Sequence, residues 1–325
     1  MLVPSGIHHV TAIASDPQRN IDFYAGVLGL RLVKRTVNFD DPTTYHFYFG
    51  DEIGHPGSLL TFFPWPNARR GRQGAGQAAV TSFAIVPGSV GFWLERLLKQ
   101  GIEFEQPVTR FDGERVIALK DPDGLLLELV SHQRVEQCEP PMDLGAEAQV
   151  PSVHGIRGVY SVTIWQDGQQ QTAELLTGSL GFRPAREQGS VFRYTSDDSR
   201  PGSIVDLRIV AGLWPGVMGA GTVHHVAFRA ANDEAQLVVR DELEAGGYNA
   251  TPALDRDYFK SVYFREPGGV LFEIATDGPG FTVDEPAAML GRTLKLPAWL
   301  EPRRFEIEAL LPNIHLPLDL PGPNA

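Results

Sequence analysis

A single cysteine, Cys138, stands in a chain of 325 residues. One thiol cannot close an intramolecular disulfide or build a cysteine-rich zinc site, so the natural compartment is a reducing interior and any metal must be sought among histidines and carboxylates. Positive charge is also scarce: 28 lysines and arginines face 40 acidic residues, a net charge of −12, and no basic run is longer than Arg69-Arg70 or Arg303-Arg304. Nucleic acid requires a clustered basic face, which excludes it as an expected partner. No stretch approaches about 18 uninterrupted apolar residues, and the opening MLVPSGIHHVTAI has neither a basic nor an apolar leader segment, which predicts a cytoplasmic protein with no membrane contact. What the chain does have is globular material, 42% hydrophobic and 10% aromatic residues against 21% charged. That suffices for two domains or one large composite at roughly 100–200 residues per domain.

The sequence repeats itself four times. Each copy opens with a short β-type run: IHHVTAI (7–13), VTSFAIV (80–86), GVYSVTI (158–164) and VHHVAFR (223–229). A helical stretch follows and stops at a glycine before a large apolar residue, at Gly29-Leu30, Gly101-Ile102, Gly181-Phe182 and Gly247-Tyr248. In the first helix Asp16 is a good N-cap, Pro17 takes the first helical position, and Ile21, Tyr24 and Leu28 share a face. The second is expected to follow the same logic from Ser89 through Trp93 and Leu97 to Gly101. Each copy closes on a glycine and a position four residues later: GSLLT (57–61), GLLLE (124–128), GSIVD (202–206) and GVLFE (269–273).

One strand, one helix and about three further strands make a βαβββ module, whose curved sheet needs a partner to cover its open face. The expected fold is therefore α+β, four βαβββ modules forming two curved half-barrel sheets. The polar stretch 133–152 reads as a link between an N-terminal pair of modules (1–135) and a C-terminal pair (152–277). An extension, 278–325, is expected to carry a short helix within 297–312 and an irregular tail.

The second residue of each opening pair and the closing position give two inward candidates per module: His9 and Thr61, Ser82 and Glu128, Ser161 and Asp206, His225 and Glu273. Pairing neighbouring modules yields no compelling set. Pairing modules one and four instead gathers His9, His225 and Glu273, with Thr61 in the fourth place, and leaves modules two and three without a site. Two histidines and one carboxylate with open positions form the ligand set of non-haem Fe(II) oxygenases. A fourth protein ligand in place of Thr61 would better suit an isomerase. Strand alternation is expected to send the two imidazoles of each His-His pair to different faces or edges. Glu128 is expected to be structural, and His46, His55, His132, His154 and His315 lie outside the repeated positions and read as surface or packing residues.

HHVTAI, the stretch DPQRNIDFYAGVLGLRLVKRTVNFDDP, HHVAF (224–228) and DRDYFKSVYFREPGGVLFEIATD together resemble the vicinal oxygen chelate superfamily, the glyoxalase, bleomycin-resistance and extradiol dioxygenase group. Within it the chain is similar to hydroquinone-type ring-cleaving dioxygenases, the dichlorohydroquinone 1,2-dioxygenases and methylhydroquinone-related bacterial enzymes. The resemblance covers nearly the whole chain. It implies Fe(II) on His9, His225 and Glu273, with O₂ as co-substrate and a small aromatic substrate with a hydroquinone-type or catechol-type ring; the repeat alone leaves Fe(II) and Mn(II), and hydroquinone and catechol, all open. It further implies a pocket of His8, His224, Thr11, Arg256 and Tyr263, with His8, His224, Arg256 and Tyr263 in catalysis. The rival readings are a metal-dependent glyoxalase-like isomerase or lyase and a metal-free protein that sequesters aromatic compounds. Four modules satisfy their own pairing in one chain, so self-association is compatible with the pattern but not required by it.

Overall fold

The computed structural model describes residues 4, 6–111, 113–138, 149–196 and 202–316. All four modules form. The first comprises β1 (Ile7–Ala14), α1 (Pro17–Ile21), β2 (Arg31–Asn38), β3 (Asp41–Gly50) and β4 (Leu59–Pro64). The second comprises β5 (Gln77–Ile85), α2 (Val90–Lys99), β6 (Val108–Arg110), β7 (Glu114–Lys120) and β8 (Leu126–Ser131). The third comprises β9 (Val159–Gln166), α3 (Gln170–Gly178), β10 (Arg183–Gln188), β11 (Val191–Thr195) and β12 (Ile204–Ile209). The fourth comprises β13 (Thr222–Ala230), α4 (Asp233–Ala245), β14 (Leu254–Asp255), β15 (Lys260–Arg265) and β16 (Leu271–Thr276).

Local signals place the first helix as expected. The Asp16 carboxylate accepts the Arg19 N–H at 2.8 Å, Pro17 follows, and Ile21, Tyr24 and Leu28 are buried. After Ile21 the helix continues as a wider π turn over Asp22–Val27, closed by the Leu28 N–H on the Phe23 carbonyl. It then stops at Gly29, whose φ of +69° is the left-handed conformation that only glycine adopts without strain. The second helix departs from expectation: Ser89 makes no capping bond, because its hydroxyl is engaged by His154 Nδ1 at 3.0 Å.

The sheet topology pairs modules across the chain. One eight-stranded sheet runs β14-β15-β16-β13-β1-β4-β3-β2, joining modules four and one; the other runs β10-β11-β12-β9-β5-β8-β7-β6, joining three and two. At each centre, the first strands of two modules meet antiparallel, β1 on β13 and β5 on β9. Beside each lies the last strand of the same module, held parallel. This is the two-half-barrel architecture, and it sets His9 and His225 on adjacent strands.

The main core collects Val10, Ala12, Phe62, Phe83, Val162, Val226 and Phe272 under the helix residues Tyr24, Trp93, Leu176 and Leu243. A second cluster fills one end of the face that carries the histidines: Leu59, Tyr48, Ala227 and Ala275 pack with Tyr258, Phe259, Phe281 and Leu290. The last two belong to the C-terminal extension, which is tied to module one. Lys34, fully buried, places its ammonium 2.6 Å from Asp284 and also against Glu285, 4.8 Å above the Tyr258 ring. Arg31 donates to the Ala287 carbonyl and Tyr45 to that of Pro312. The expected helix within 297–312 is confined to a 3₁₀ turn at Glu301–Arg303 and α5 (Arg304–Leu310). The tail beyond residue 316 and most of the expected link, 139–148, lie outside the described residues. No helix among the described residues is long and apolar enough to cross a membrane.

Candidate metal centre

Two β-bulges build the site. Along the β1–β13 ladder, Ile7 opposes Phe228 and His9 opposes Ala227, so His8 is an extra residue on β1; farther on, Thr11 opposes His225 and Ala12 opposes Val223, so His224 is extra on β13. A bulge breaks the alternation of the strand and re-aims its side chains. The expectation that each His-His pair splits between faces therefore fails: the two rings of each pair meet edge-on, with Nδ1 of His8 2.9 Å from Nδ1 of His9 and Nδ1 of His224 2.8 Å from Nδ1 of His225.

One choice of tautomers satisfies these contacts and leaves both ligand Nε2 atoms for a metal. Burial holds His8 well below the ordinary imidazole pKa, so the ring is neutral, and a hydrogen bond to the Thr276 backbone carbonyl takes its single N–H. His8 Nδ1 is then an acceptor, and His9 must donate from Nδ1, which leaves the His9 Nε2 lone pair free. His224, held near 3 first by burial and then by His225, is likewise neutral. With His225 in the same tautomer as His9, donating from Nδ1 to His224, its Nε2 would likewise be left for a metal.

The two Nε2 atoms and one carboxylate oxygen converge. His9 Nε2 and His225 Nε2 are 3.3 Å apart, and Glu273 Oε2 lies 3.4 Å from the first and 2.9 Å from the second. All three residues are buried, and among the described residues they form the one buried group of histidine, cysteine and carboxylate atoms close enough to share a metal. Ligands at about 2.1 Å from one ion and at right angles stand about 3 Å apart, which is the spacing seen. Despite its proximity to both nitrogens, Glu273 Oε2 makes no hydrogen bond, as expected of lone pairs aimed at a common point. The residues thus fit a divalent cation. Glu273 is fully buried, and its carboxylate completes the set. Its other oxygen accepts the Ser261 hydroxyl at 2.5 Å.

Around these three, Thr11 shares a hydrogen bond with Thr61 at 2.8 Å. Tyr263 lies beside His225, ring centroids 5.6 Å apart, and the Arg256 guanidinium sits 5.6 Å from the Tyr263 centroid while holding Asp40 at 3.2 Å. Thr11, Arg256 and Tyr263 are therefore gathered with the ligand set. His8 and His224 spend their Nδ1 atoms on His9 and His225, which makes them supports of those rings. Sequence reasoning missed His46. Besides packing against Tyr48 and Phe63, it hydrogen-bonds Thr61 Oγ1 at 3.0 Å and the Tyr48 hydroxyl at 2.9 Å. Its position on β3, two residues before the tyrosine that pairs with Thr61, is the signal that was available. The remaining histidines lie elsewhere: His55 beside Asp51, His132 capping a 3₁₀ turn, His154 stacked on Phe92 and His315 bonded to Gln18.

The second sheet carries the same bulges with different residues. Ala79 and Tyr160 are the extra residues on β5 and β9, so Val80, and not Ser82, stands where His225 stands. The sequence alignment of module two is thereby corrected by two residues. Ser161 takes the place of His9, and Glu128 and Asp206 those of Glu273 and Thr61. With no imidazole, the carboxylates take arginine instead: Asp206 is gripped by Arg193 at 2.7 and 2.8 Å, Arg193 also contacts Glu114, and Glu128 accepts from Ser82 and Arg110.

Comparison with known proteins agrees with this fold. The family model described as Glyoxalase/Bleomycin resistance protein/Dioxygenase superfamily matches residues 6–129 and 159–274. A Bacillus subtilis protein named "Putative ring-cleaving dioxygenase MhqO" is 46% identical over 308 residues, 94% of this chain and 96% of its own. A "Chlorohydroquinone/hydroquinone 1,2-dioxygenase" of Sphingobium indicum is 32% identical over 93% of this chain and 94% of its own. A solved structure from Bacillus subtilis, described as a "putative dioxygenase", superposes with a TM-score of 0.91 at 44% identity, covering 97% of this chain and 99% of its own. Glyoxalase I from Zea mays shares the fold at a TM-score of 0.61 and 16% identity, over 84% of this chain and 92% of its own.

Proposed function

The chain belongs to the glyoxalase/bleomycin resistance protein/dioxygenase superfamily, and from that premise we propose that it is an Fe(II)-dependent ring-cleaving dioxygenase acting on hydroquinone-type dihydroxyarenes with O₂. The observation that carries this reading is the buried His9, His225 and Glu273 cluster with a threonine, Thr61, at the register position of a fourth ligand. Three protein donors leave room for both substrates; a fourth carboxylate would favour chemistry that only polarises one. The names of two relatives, a ring-cleaving dioxygenase and a hydroquinone 1,2-dioxygenase, point the same way.

His9, His225 and Glu273 would hold the metal, and Fe(II) there would supply neighbouring positions for the arene oxygen and O₂ and a path for electrons between them. Mn(II) suits the same donors. His8 and His224 keep Nε2 of each ligand imidazole deprotonated and fix its ring plane. Arg256, with its permanent charge partly buried beside Tyr263, stabilises negative charge on the substrate oxygen. Tyr263 keeps its proton, since burial and then Glu273 raise its pKa, and so acts as a hydrogen-bond donor. Thr11 shapes the pocket wall through Thr61. In the net reaction the bond between a hydroxyl-bearing ring carbon and its neighbour breaks, and both atoms of O₂ enter the open-chain product.

The test is anaerobic loading with Fe(II), then oxygen-electrode and mass analysis with a panel of hydroquinones and catechols under ¹⁸O₂. The expected result is one O₂ consumed per ring opened, with two labelled oxygens in the product. Metal binding with no oxygen uptake on any substrate would move isomerase or lyase chemistry ahead; no metal binding would favour a sequestering protein.

A further inference from the structure

The two modules that build the site repeat one arrangement of three side chains with two changes of chemistry. In module four, β16 offers Glu273, β15 pairs Tyr263 with it, and Ser261, two residues earlier, donates its hydroxyl to the carboxylate. In module one, β4 offers Thr61 at the same register, β3 pairs Tyr48 with it, and His46, two residues earlier, bonds the threonine hydroxyl. The carboxylate of one copy is a hydroxyl in the other, and the supporting hydroxyl is an imidazole. A slot that would otherwise bring a fourth ligand to the metal has become a short hydrogen-bonded chain, Thr11, Thr61, His46, Tyr48.

On the dioxygenase reading above, we propose that His46 is a further positioning residue of the reaction, taking the proton of the substrate hydroxyl through the Thr61 hydroxyl and later returning it. Donor accounting supports the route. A hydroxyl has one proton and two acceptor sites. When Thr61 donates to His46 Nε2 and accepts from Thr11, one acceptor site remains for a substrate O–H. His46 Nδ1–H then donates to the Tyr48 oxygen, so the ring is oriented at both nitrogens. Ring contacts with Phe63 at 4.4 Å and Tyr48 at 4.0 Å lock its plane.

The step balances without a further reactant. The substrate O–H proton passes to Thr61 Oγ1 while the Thr61 proton passes to His46 Nε2, giving a phenolate and an imidazolium. No bond other than these O–H and N–H bonds changes, and no electron is transferred. Burial, and then His9 and His225, hold the free His46 ring neutral, so that one ring nitrogen carries a lone pair. The phenolate formed beside it offsets the cost of the buried charge, because proton transfer between neighbours leaves the net charge of the pocket unchanged. When the ring opens, the proton returns by the same path to an oxygen of the product.

The test compares His46→Phe, His46→Gln, Thr61→Val and Thr61→Ser in the Fe(II)-loaded full chain, with iron content and melting curves as controls. Removing a proton-transfer partner lowers turnover by about 100-fold. His46→Phe and Thr61→Val are expected to lose that much kcat with KM within a few-fold. His46→Gln, which can bond Thr61 but cannot take a proton, should stay slow, whereas Thr61→Ser should recover most of the rate. A second readout needs no turnover: 2-nitrohydroquinone, whose colour reports its ionisation, is added anaerobically below its own pKa. It should show the ionised spectrum in the wild type and the neutral one in His46→Gln. Wild-type kcat in His46→Gln, or an ionised spectrum in both, overturns the assignment while the oxygenase stands. Absence of O₂ uptake by the wild type overturns both. If His46→Phe fails to fold, His46→Gln and Thr61→Val decide.

Discussion

Glu273 and Glu128 occupy one register position in the two sheets, each on a parallel strand beside the central pair, and meet opposite partners. Glu273 faces two imidazole nitrogens at 2.9 and 3.4 Å, while Glu128 accepts from the Ser82 hydroxyl at 2.7 Å and from Arg110 at 3.0 Å. One carboxylate is left with an oxygen to give; the other is used up. The difference originates on the neighbouring strands, where His225 is matched by Val80 and His9 by Ser161.

A bound metal adds its binding free energy to folding, so the melting temperature should depend on it. At a free metal concentration 100 times Kd the gain is about 2.7 kcal/mol. Anaerobic melts with and without Fe(II) should show this gain in the wild type and lose it in Glu273→Gln, in which a neutral amide replaces the charged ligand oxygen. An equal metal-induced shift in both proteins would sink the ligand assignment.

Ser261 orients Glu273 by donating to the oxygen that does not face the histidines. Outer partners of this kind are worth about 10–100-fold in metal affinity. Ser261→Ala should weaken Fe(II) binding by that factor in a competition with a chelator of known affinity, with the fold unchanged. Affinity equal to the wild type would mean that packing alone orients the carboxylate.

Arg193 neutralises Asp206 and Glu114 in the second sheet, where all three side chains are buried. Removing the cation strands Asp206 and leaves Glu114 with Arg110 as its remaining arginine, and breaking such a pair costs about 3–5 kcal/mol. Arg193→Met should lower the denaturant midpoint accordingly, or unfold the chain outright. Asp206→Asn combined with Glu114→Gln in the same background should recover part of the loss. A loss under about 1 kcal/mol would show that water reaches these groups.

Asp121 is buried in the turn before β8, accepts from the Tyr24 hydroxyl and from the Asp123 and Leu125 N–H groups, and has its pKa pushed up to about 6, chiefly by burial. Its ordinary value is 3.8, so between pH 4 and 6 the folded state holds a proton that the unfolded state has released. Stability from this group is therefore present at low pH and is lost as pH rises through about 6. Relative to Asp121→Asn, the wild type should lose on the order of 2–3 kcal/mol from pH 4 to 7. Parallel stability curves for the two proteins would contradict this.

Much of this was legible in residue spacing because repetition exposes what a single copy hides. The two His-His pairs and the closing glutamate identify the ligand set once modules one and four are paired, and the absence of imidazoles from modules two and three makes the alternative pairing idle. Four features were not legible. The bulges at His8 and His224 leave no mark in a strand pattern, since an extra residue looks like any other until its partner strand is known. For the same reason module two was aligned on Ser82 when the bulge at Ala79 puts Val80 in the equivalent place. His46 was passed over because it lies mid-strand, outside the opening and closing segments on which the alignment rested. Ser89 looked like a helix cap, but a tertiary contact with His154 claims its hydroxyl.

The pairing of the first module with the fourth also has a consequence in time. A ribosome adds about 5–20 residues per second. His9 and His225 are 216 positions apart, so the earlier histidine waits roughly 10–40 seconds for its counterpart to be made. Throughout that interval the β1 edge that later receives β13 has no strand to pair with, and an open edge invites pairing with another chain. Modules two and three lie consecutively between them and can close their sheet first. The sheet of modules two and three can thus form as a platform while the centre waits for the fourth module to arrive beside the first.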